Sequence, residues 1–296
     1  MEDTWSFIQD EIRASMPDSK WIEDTYRKLI EDVSFEIKAF LGVSHNTTYA
    51  DAMENMKDDE LKVFKNHLKT IDKFAYDKMR YRVRVTRLEG ISTICNAYVR
   101  VMTLKQEERL RQEYTNLMEK TRRLCLWSFG VEHDDEDYEI DYDEMFMRKW
   151  FDKTFHGRVF HPTVYLCQHM KISIAKGLAL GFGHRNILKY VAGNVDFSKN
   201  QFIRLYKTEA YHFVNMVIEI MYKKFNVKEY IFNASKIERL CVICTGLDKT
   251  KHKVSDIIYG ANYPTMHPRC DCLTRPSLYL PREIPFDQWE RLVFGK

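Results

Sequence analysis

A chain of 296 residues with 45% hydrophobic and 30% charged residues has the composition of a folded protein of one large or two modest domains. Its aromatic content is high, at 14%, while 11 glycines and 7 prolines favour long helices over a loop-rich β fold. A net charge of +3 does not by itself indicate a nucleic-acid partner. There is no run of 18 apolar residues and no basic segment followed by an apolar one near the start, so we expect neither a membrane span nor a signal peptide.

The first eighty residues show helical periodicity. A short helix over 5–17 is predicted to end at Pro17, and a second helix runs from about residue 21 to 41, where Gly42 supplies a stop. A short helix over 48–56 precedes a longer one over 58–78, whose apolar residues form one face. The amino-terminal region is therefore predicted to be helical.

Residues 78–123 carry twelve cations and five anions. We interpret this stretch as a long helix with a break near Gly90. Its excess of positive charge favours either contact with DNA or an acidic partner, or a solvated helix face with pairs such as Glu107 and Arg111. The candidate DNA contacts are Arg80, Arg82, Arg84 and Arg87.

The charge then reverses, with nine carboxylates between residues 131 and 145. Such a segment repels itself, which predicts an exposed linker and a domain boundary. The spacing of an EF-hand calcium loop is missing, so an electrostatic dock for the basic stretch or a basic partner is the better functional interpretation.

Helices are predicted over 142–155, 162–180, 184–191 and 198–225, with Gly181-Phe-Gly183 separating the second from the third. A strand is predicted over 227–233, because that segment is rich in β-branched and aromatic residues.

Four of the seven cysteines lie in Cys241-Val-Ile-Cys244 and Cys270-Asp-Cys272, and His267 precedes the second pair. Two such pairs can close a tetrahedron around Zn²⁺, with Cys241 and Cys244 joined by two of the other three residues. Two disulfides or buried thiols are the alternatives. A structural site is favoured over a catalytic one, because no catalytic motif accompanies the cluster. Cys95, Cys125 and Cys167 fall in apolar helical settings and are interpreted as small core residues.

These residues occur in a wider pattern. Arg204 and Thr208-Glu209 lie on a predicted helix, and Glu229-Tyr-Ile-Phe232 follows. Next come Glu238-Arg239-Leu-Cys241-Val-Ile-Cys244, Leu247-Asp248 and Pro264-Thr-Met-His267-Pro-Arg-Cys270-Asp-Cys272. In order and spacing this resembles the phage Mu F-like minor head proteins, the phage head morphogenesis family. Lys249 and Asp271 depart from the family pattern. The specific resemblance covers about residues 150–276.

The expected fold is mainly α, with a long-helix amino-terminal region over 1–130, an acidic linker over 131–145, and a Mu F-like α+β module with a zinc-binding loop over 146–296. Arg204 and Glu209 are expected to form a charged pair that ties the helix to this module. A buried or binding-site pair is the alternative.

The resemblance implies a virion structural protein that acts at the portal vertex during procapsid assembly, with a structural Zn²⁺ and no enzymatic activity. It implies contact with the portal protein, with scaffold or major capsid protein, and with packaged double-stranded DNA during packaging, retention or ejection. Its expected location is the head interior or portal vertex, after assembly in the host cytoplasm. Two alternatives differ in class: a zinc-containing, toxin-like enzyme acting on nucleic acid or a host protein, and a zinc-stabilised DNA-binding module.

Overall fold

The computed structural model describes residues 4–41, 47–132, 134, 136–235, 241–278 and 285–294. Within these ranges the chain is mainly α-helical with one small antiparallel sheet, which confirms the predicted fold class. None of the described helices combines the length and apolar character that crossing a bilayer requires. The helices are α1 (Thr4–Ala14), α2 (Lys20–Leu41), α3 (Tyr49–Met53), α4 (Asp58–Ile71), α5 (Lys73–Met79), α6 (Arg87–Phe129), α7 (Tyr142–Met147), α8 (Phe155–Ala179), α9 (His184–Lys224), α10 (Val242–Leu247) and α11 (Phe286–Phe294). The strands are β1 (Glu229–Asn233), β2 (Lys251–Lys253) and β3 (Leu273–Pro276).

The chain divides into two compact units, each built from discontinuous segments. The first comprises Met1–Asp18, Leu110–Thr154 and Arg204–Lys296, and the second comprises Ser19–Arg109 and Phe155–Ile203. Helices α6 and α9 contribute residues to both units. The continuous division at residues 130 and 145 that the sequence suggested stays a prediction.

In the second unit, Asp72 interrupts the helix predicted over 58–78. Asp72 has extended backbone angles, and its carboxylate accepts a 3.0 Å hydrogen bond from the amide of Phe74, so it ends α4 and caps α5. The same carboxylate is buried and lies 2.9 Å from the guanidinium of Arg100 on α6. A partly buried ion pair therefore lies at the corner between α4 and α5, and the periodicity of the apolar residues could not reveal it.

The start of α6 corrects a second expectation, the helix break near Gly90. Thr86 and Glu89 form a reciprocal pair: the Thr86 amide donates to the Glu89 carboxylate at 3.0 Å, and the Glu89 amide donates to the Thr86 hydroxyl at 3.1 Å. This capping box starts the helix at Arg87, which then continues through Gly90 without interruption.

Helices α8 and α9 form a hairpin around the predicted Gly181-Phe-Gly183 turn, where Gly181 has φ +68°. A Cβ on Gly177 would lie 2.5 Å from Cγ1 of Ile187, so the close approach of these helices requires glycine there. Two boundary predictions were wrong: Pro162 lies inside α8, and the helices predicted over 184–191 and 198–225 are the single helix α9.

In the first unit the sheet packs on the carboxyl-terminal part of α9. The strand order is β2-β1-β3, with Tyr230 opposite His252 and Phe232 opposite Thr274. Tyr222 of α9 stacks on Tyr230 at 6.5 Å between ring centroids, and its hydroxyl lies 3.1 Å from the Thr274 hydroxyl. Because these side chains are fully buried, the sheet and the helix share one core that supports the loops on either side of β3.

The acidic segment is attached to α6 in the same unit. Arg122 of α6 is buried and donates to Asp134 at 2.6 and 2.8 Å and to Glu119 at 2.9 and 3.1 Å. Tyr142 donates to the same Glu119 carboxylate at 2.7 Å. Part of the carboxylate-rich segment therefore pairs with a cation of the basic stretch.

Candidate metal centre

The cysteine cluster is built by two short pieces of the first unit. Cys241 precedes α10 as its N-cap, and its carbonyl accepts a 2.8 Å hydrogen bond from the amide of Thr245. The helical turn from Cys241 to Cys244 places their two thiols close to each other on the same side of the helix. Cys270 and Cys272 come immediately before β3, so pairing of that strand with β1 holds them in place.

The five predicted ligand residues come together in space as two overlapping groups. The potential ligand atoms of Cys241, Cys244 and His267 lie within 4.8 Å of one another, and so do those of Cys244, Cys270 and Cys272. Cys244 belongs to both groups, and its Sγ lies 3.3 Å from Nε2 of His267.

The hydrogen bond at Nδ1, the second ring nitrogen of His267, fixes the orientation of the ring. Nδ1 lies 2.9 Å from the carbonyl oxygen of Pro268, and a carbonyl only accepts hydrogen bonds, so Nδ1 carries the proton. When the ring is neutral, the lone pair of Nε2 therefore faces Cys244. A backbone carbonyl that fixes the tautomer in this way is a common feature of histidine ligands to metals.

Three of the five cluster residues are shielded from water, while Cys241 and His267 are half-buried. Cys244, Cys270 and Cys272 are each at most 3% exposed, and Phe232 and Met266 pack against them. Each of the seven cysteines in the chain is a free thiol, so the disulfide alternative has no support in this structure.

The thiols differ in acidity. Backbone N–H groups, chiefly that of Cys244, lower the pKa of Cys241. A hydrogen bond from the Cys272 thiol lowers the pKa of Cys270 and raises the pKa of Cys272, while burial raises the pKa of Cys244. The cluster thus holds thiolate character at some sulfurs and protons at others, an arrangement in which a divalent cation can displace the protons.

Helix α9 anchors the loop that carries the second cysteine pair. The Thr208 hydroxyl accepts a 2.9 Å hydrogen bond from the amide of Arg269 and donates to the carbonyl of Arg204 at 2.6 Å. Two turns further along α9, the side-chain amide of Asn215 donates to the carbonyl of Cys272 at 3.1 Å. Sequence reasoning missed these anchoring roles. The available signal was a set of polar residues within the apolar stripe of a long helix.

The other predicted site residues occupy different environments. Glu209 is fully buried and Arg204 is exposed; their predicted charged pair stays a prediction. The motif residues Glu238 and Arg239 lie outside the described part of the chain.

Among the candidate DNA contacts, Arg87 donates to Glu60 at 3.1 Å and to Glu54 at 2.9 Å. Arg80 and Arg82 lie 3.5 Å from Asp77 and Glu89 respectively, while Arg84 is exposed beside the exposed side chains of Tyr81 and Val83.

The fold and the site together define a helical protein with a small α+β module whose loops meet at a cysteine and histidine cluster. Residues 168–275 match the model of the family described as Phage Mu protein F like protein. Over this region the chain is similar to that family, which confirms the resemblance inferred from the sequence, and all five cluster residues lie within the matched range. Neither the comparison with curated proteins nor the comparison with solved structures gave a match.

Proposed function

We propose that this protein is a phage head morphogenesis protein, a minor structural component of the virion head. The observation that carries the proposal is the Mu F-like match over residues 168–275, which includes the whole cysteine and histidine cluster and the part of α9 that anchors it. In this proposal the protein acts at the portal vertex and associates with the portal protein, with scaffold or major capsid protein as further partners.

We propose further that the cluster holds a structural Zn²⁺. The donor set of thiolates and one imidazole is the set that zinc prefers. Within each of the two three-residue groups the ligand atoms lie within 4.8 Å of one another, which is compatible with a tetrahedral site, where two sulfurs about 2.3 Å from the metal are roughly 3.8 Å apart. Cys241 and Cys244 would be joined by two of His267, Cys270 and Cys272.

The role of this metal is to hold the carboxyl-terminal loops together. The segment from α10 to β3 has two short strands and a single-turn helix, and so little apolar surface to bury on its own. Metal-binding free energy would become folding free energy for this segment. Burial of three of the four cysteines supports a closed structural site rather than an open catalytic one.

A second surface supports contact with DNA. Residues 80–84 place three arginines alternately with Tyr81 and Val83, which are 79% and 81% exposed. Lys65 donates to the carbonyls of Arg80 and Arg82 at 2.9 and 2.7 Å, so this basic loop is braced against α4. Cations that bind phosphates, next to an exposed aromatic ring, are typical of nucleic-acid contacts. We leave Arg87 out of this surface, because it lies 2.9 Å from Glu54 and 3.1 Å from Glu60 and is only 22% exposed, whereas Arg80 and Arg82 are more exposed and lie 3.5 Å from their carboxylates.

The portal role is tested by cross-linking in purified phage particles. The proposal predicts that the protein is present in few copies and cross-links to the portal protein. Absence from the particles, or turnover of nucleic acid or a host protein by the purified chain, would favour the toxin-like enzyme instead.

The DNA surface is tested separately with the purified protein. Changing Arg80, Arg82 and Arg84 together to Glu should weaken binding to double-stranded DNA and reduce the salt slope by about three. A matched control reverses three exposed cations of α2, Arg27, Lys28 and Lys38. Equal losses of DNA affinity in the two triple variants would show that net charge alone determines the affinity, and would contradict a specific DNA surface at residues 80–84.

A further inference from the structure

A small cavity lies in the first compact unit, beside the loop that carries the second cysteine pair. Its volume is about 250 Å³. Three elements of that unit supply its walls: the end of α1 with the residues after it, one face of α9, and the His-Pro loop. The lining residues are Arg13, Met16, Pro17, Tyr206, Lys207, Ala210, Tyr211, Arg269 and Asp271.

The charge of the lining is predominantly positive. Arg13, Lys207 and Arg269 come from three separate elements, whereas Asp271 is the acidic residue of the lining. The Asp271 carboxylate accepts a 2.6 Å hydrogen bond from the Ser235 hydroxyl, so part of its hydrogen-bonding capacity is already used. Three cations against one carboxylate, with Lys207 and Arg269 also exposed to solvent, favour an anionic ligand.

Arg13 gives a more specific indication. One terminal nitrogen of its guanidinium lies 3.0 Å from Asp10, but its Nε is buried and has no acceptor among the described residues. A buried N–H on a charged group is costly to leave without a partner, and such a group often marks the place of an ion or water. Because Nε has almost no accessible surface, an oxyanion in the cavity would meet this guanidinium through its terminal nitrogens.

The size of the cavity limits the ligand. Sites for whole cofactors or drug-sized molecules measure about 300–1,000 Å³, and this cavity is smaller. Met16, Pro17 and Ala210 give it apolar walls, which strengthen electrostatic attraction by excluding water. A phosphate group fits these conditions, because guanidinium groups donate to its oxygens in pairs.

We propose that this cavity binds a phosphate group, with Arg13, Lys207 and Arg269 as its ligating side chains. The group would come either from free inorganic phosphate or from the phosphomonoester of a nucleotide. This site lies beside the cysteine cluster, and its proposed ligating groups are cations rather than thiols.

The test uses the full-length protein and titrates inorganic phosphate at constant ionic strength, with binding followed by calorimetry. Arg13→Gln is the main variant, because Arg269 lies between cluster residues and its substitution could disturb the cluster. Arg27→Gln is the matched control, since Arg27 pairs with Asp24 three residues before it, as Arg13 does with Asp10. Circular dichroism verifies that each variant is folded, and Lys207→Gln is the replacement if Arg13→Gln does not fold.

Millimolar or tighter phosphate binding by the unaltered protein and by Arg27→Gln is expected, with affinity at least about tenfold weaker in Arg13→Gln or its Lys207→Gln replacement. A nucleoside monophosphate that binds more tightly than inorganic phosphate would identify a phosphomonoester as the source, and weaker or equal binding would identify the free ion. Failure of both to bind at millimolar concentration, or equal binding by the Arg13 and Arg27 variants, would overturn the proposal.

Discussion

Replacing Glu119 with Gln should loosen the attachment of the acidic segment to α6. The Glu119 carboxylate accepts hydrogen bonds from Arg122 at 2.9 Å, from Arg123 at 2.7 Å and from Tyr142 at 2.7 Å. Arg122 also holds Asp134, so the loss of Glu119 removes one of two carboxylates that neutralise a buried guanidinium. Leaving such a charge less compensated is strongly destabilising.

The shift in the pKa of Glu119 gives the size of the expected loss of folding stability. Although burial opposes ionisation, the hydrogen bonds from Arg122, Tyr142 and Arg123 lower its pKa from 4.5 to about 2. At 1.36 kcal/mol per unit, this corresponds to roughly 3 kcal/mol of stability. Because the pKa is lowered in the folded state, this contribution is present above about pH 4.5 and is lost as the pH falls toward 2.

Chemical denaturation of the unaltered protein and of Glu119→Gln at pH 7 and pH 3 measures this effect. The difference in unfolding free energy should approach 3 kcal/mol at pH 7 and shrink at pH 3. Glu108→Gln, at an exposed position on the same helix, is the control and should change stability little at either pH. A Glu119→Gln difference that does not vary with pH would refute the ion-pair reasoning.

Two further substitutions test the packing around α9. Gly177→Ala should destabilise the protein by about 1–3 kcal/mol, because its Cβ would lie 2.5 Å from Ile187, whereas Gly193→Ala, with nothing within 4 Å, should be neutral or stabilising. Thermal denaturation of the Gly177 and Gly193 variants tests this prediction, and equal changes in stability would contradict the close contact between α8 and α9. Thr208→Val should cost about 1–3 kcal/mol, because the amide of Arg269 loses its acceptor. Hydrogen exchange should show faster exchange at that amide, and unchanged protection would argue against the anchoring role.

The features that the sequence predicted well depend on local chemistry. The spacing of Cys241 and Cys244 implies that they share one turn, and His267 with the second pair had to reach them from a nearby loop. The turn at Gly181 is also local, because it requires a positive φ that glycine adopts easily.

The features that the sequence did not predict depend on partners distant in the chain. Asp72 stands where α4 ends and pairs with Arg100, and nothing in the local pattern identifies that partner. Likewise, α1 belongs to the same compact unit as the sheet. Within that unit, the side-chain amide of Asn233 on β1 donates to the side-chain oxygen of Gln9 on α1 at 3.1 Å. Hydrophobic periodicity shows which face of a helix is buried, but it does not show which distant segment covers that face.

The central claim is that a metal ion holds the cysteine and histidine cluster together. Elemental analysis of the purified protein tests it most directly, with Cys244→Ser as the disrupting variant, because Cys244 belongs to both ligand groups. Cys167→Ser, a half-buried thiol of the second unit, is the matched control. The account predicts one zinc per chain in the unaltered protein and in Cys167→Ser. In Cys244→Ser it predicts that the zinc is lost and that the segment after β1 is no longer protected from proteolysis. No metal in the unaltered protein, or a full zinc content in Cys244→Ser, would contradict it.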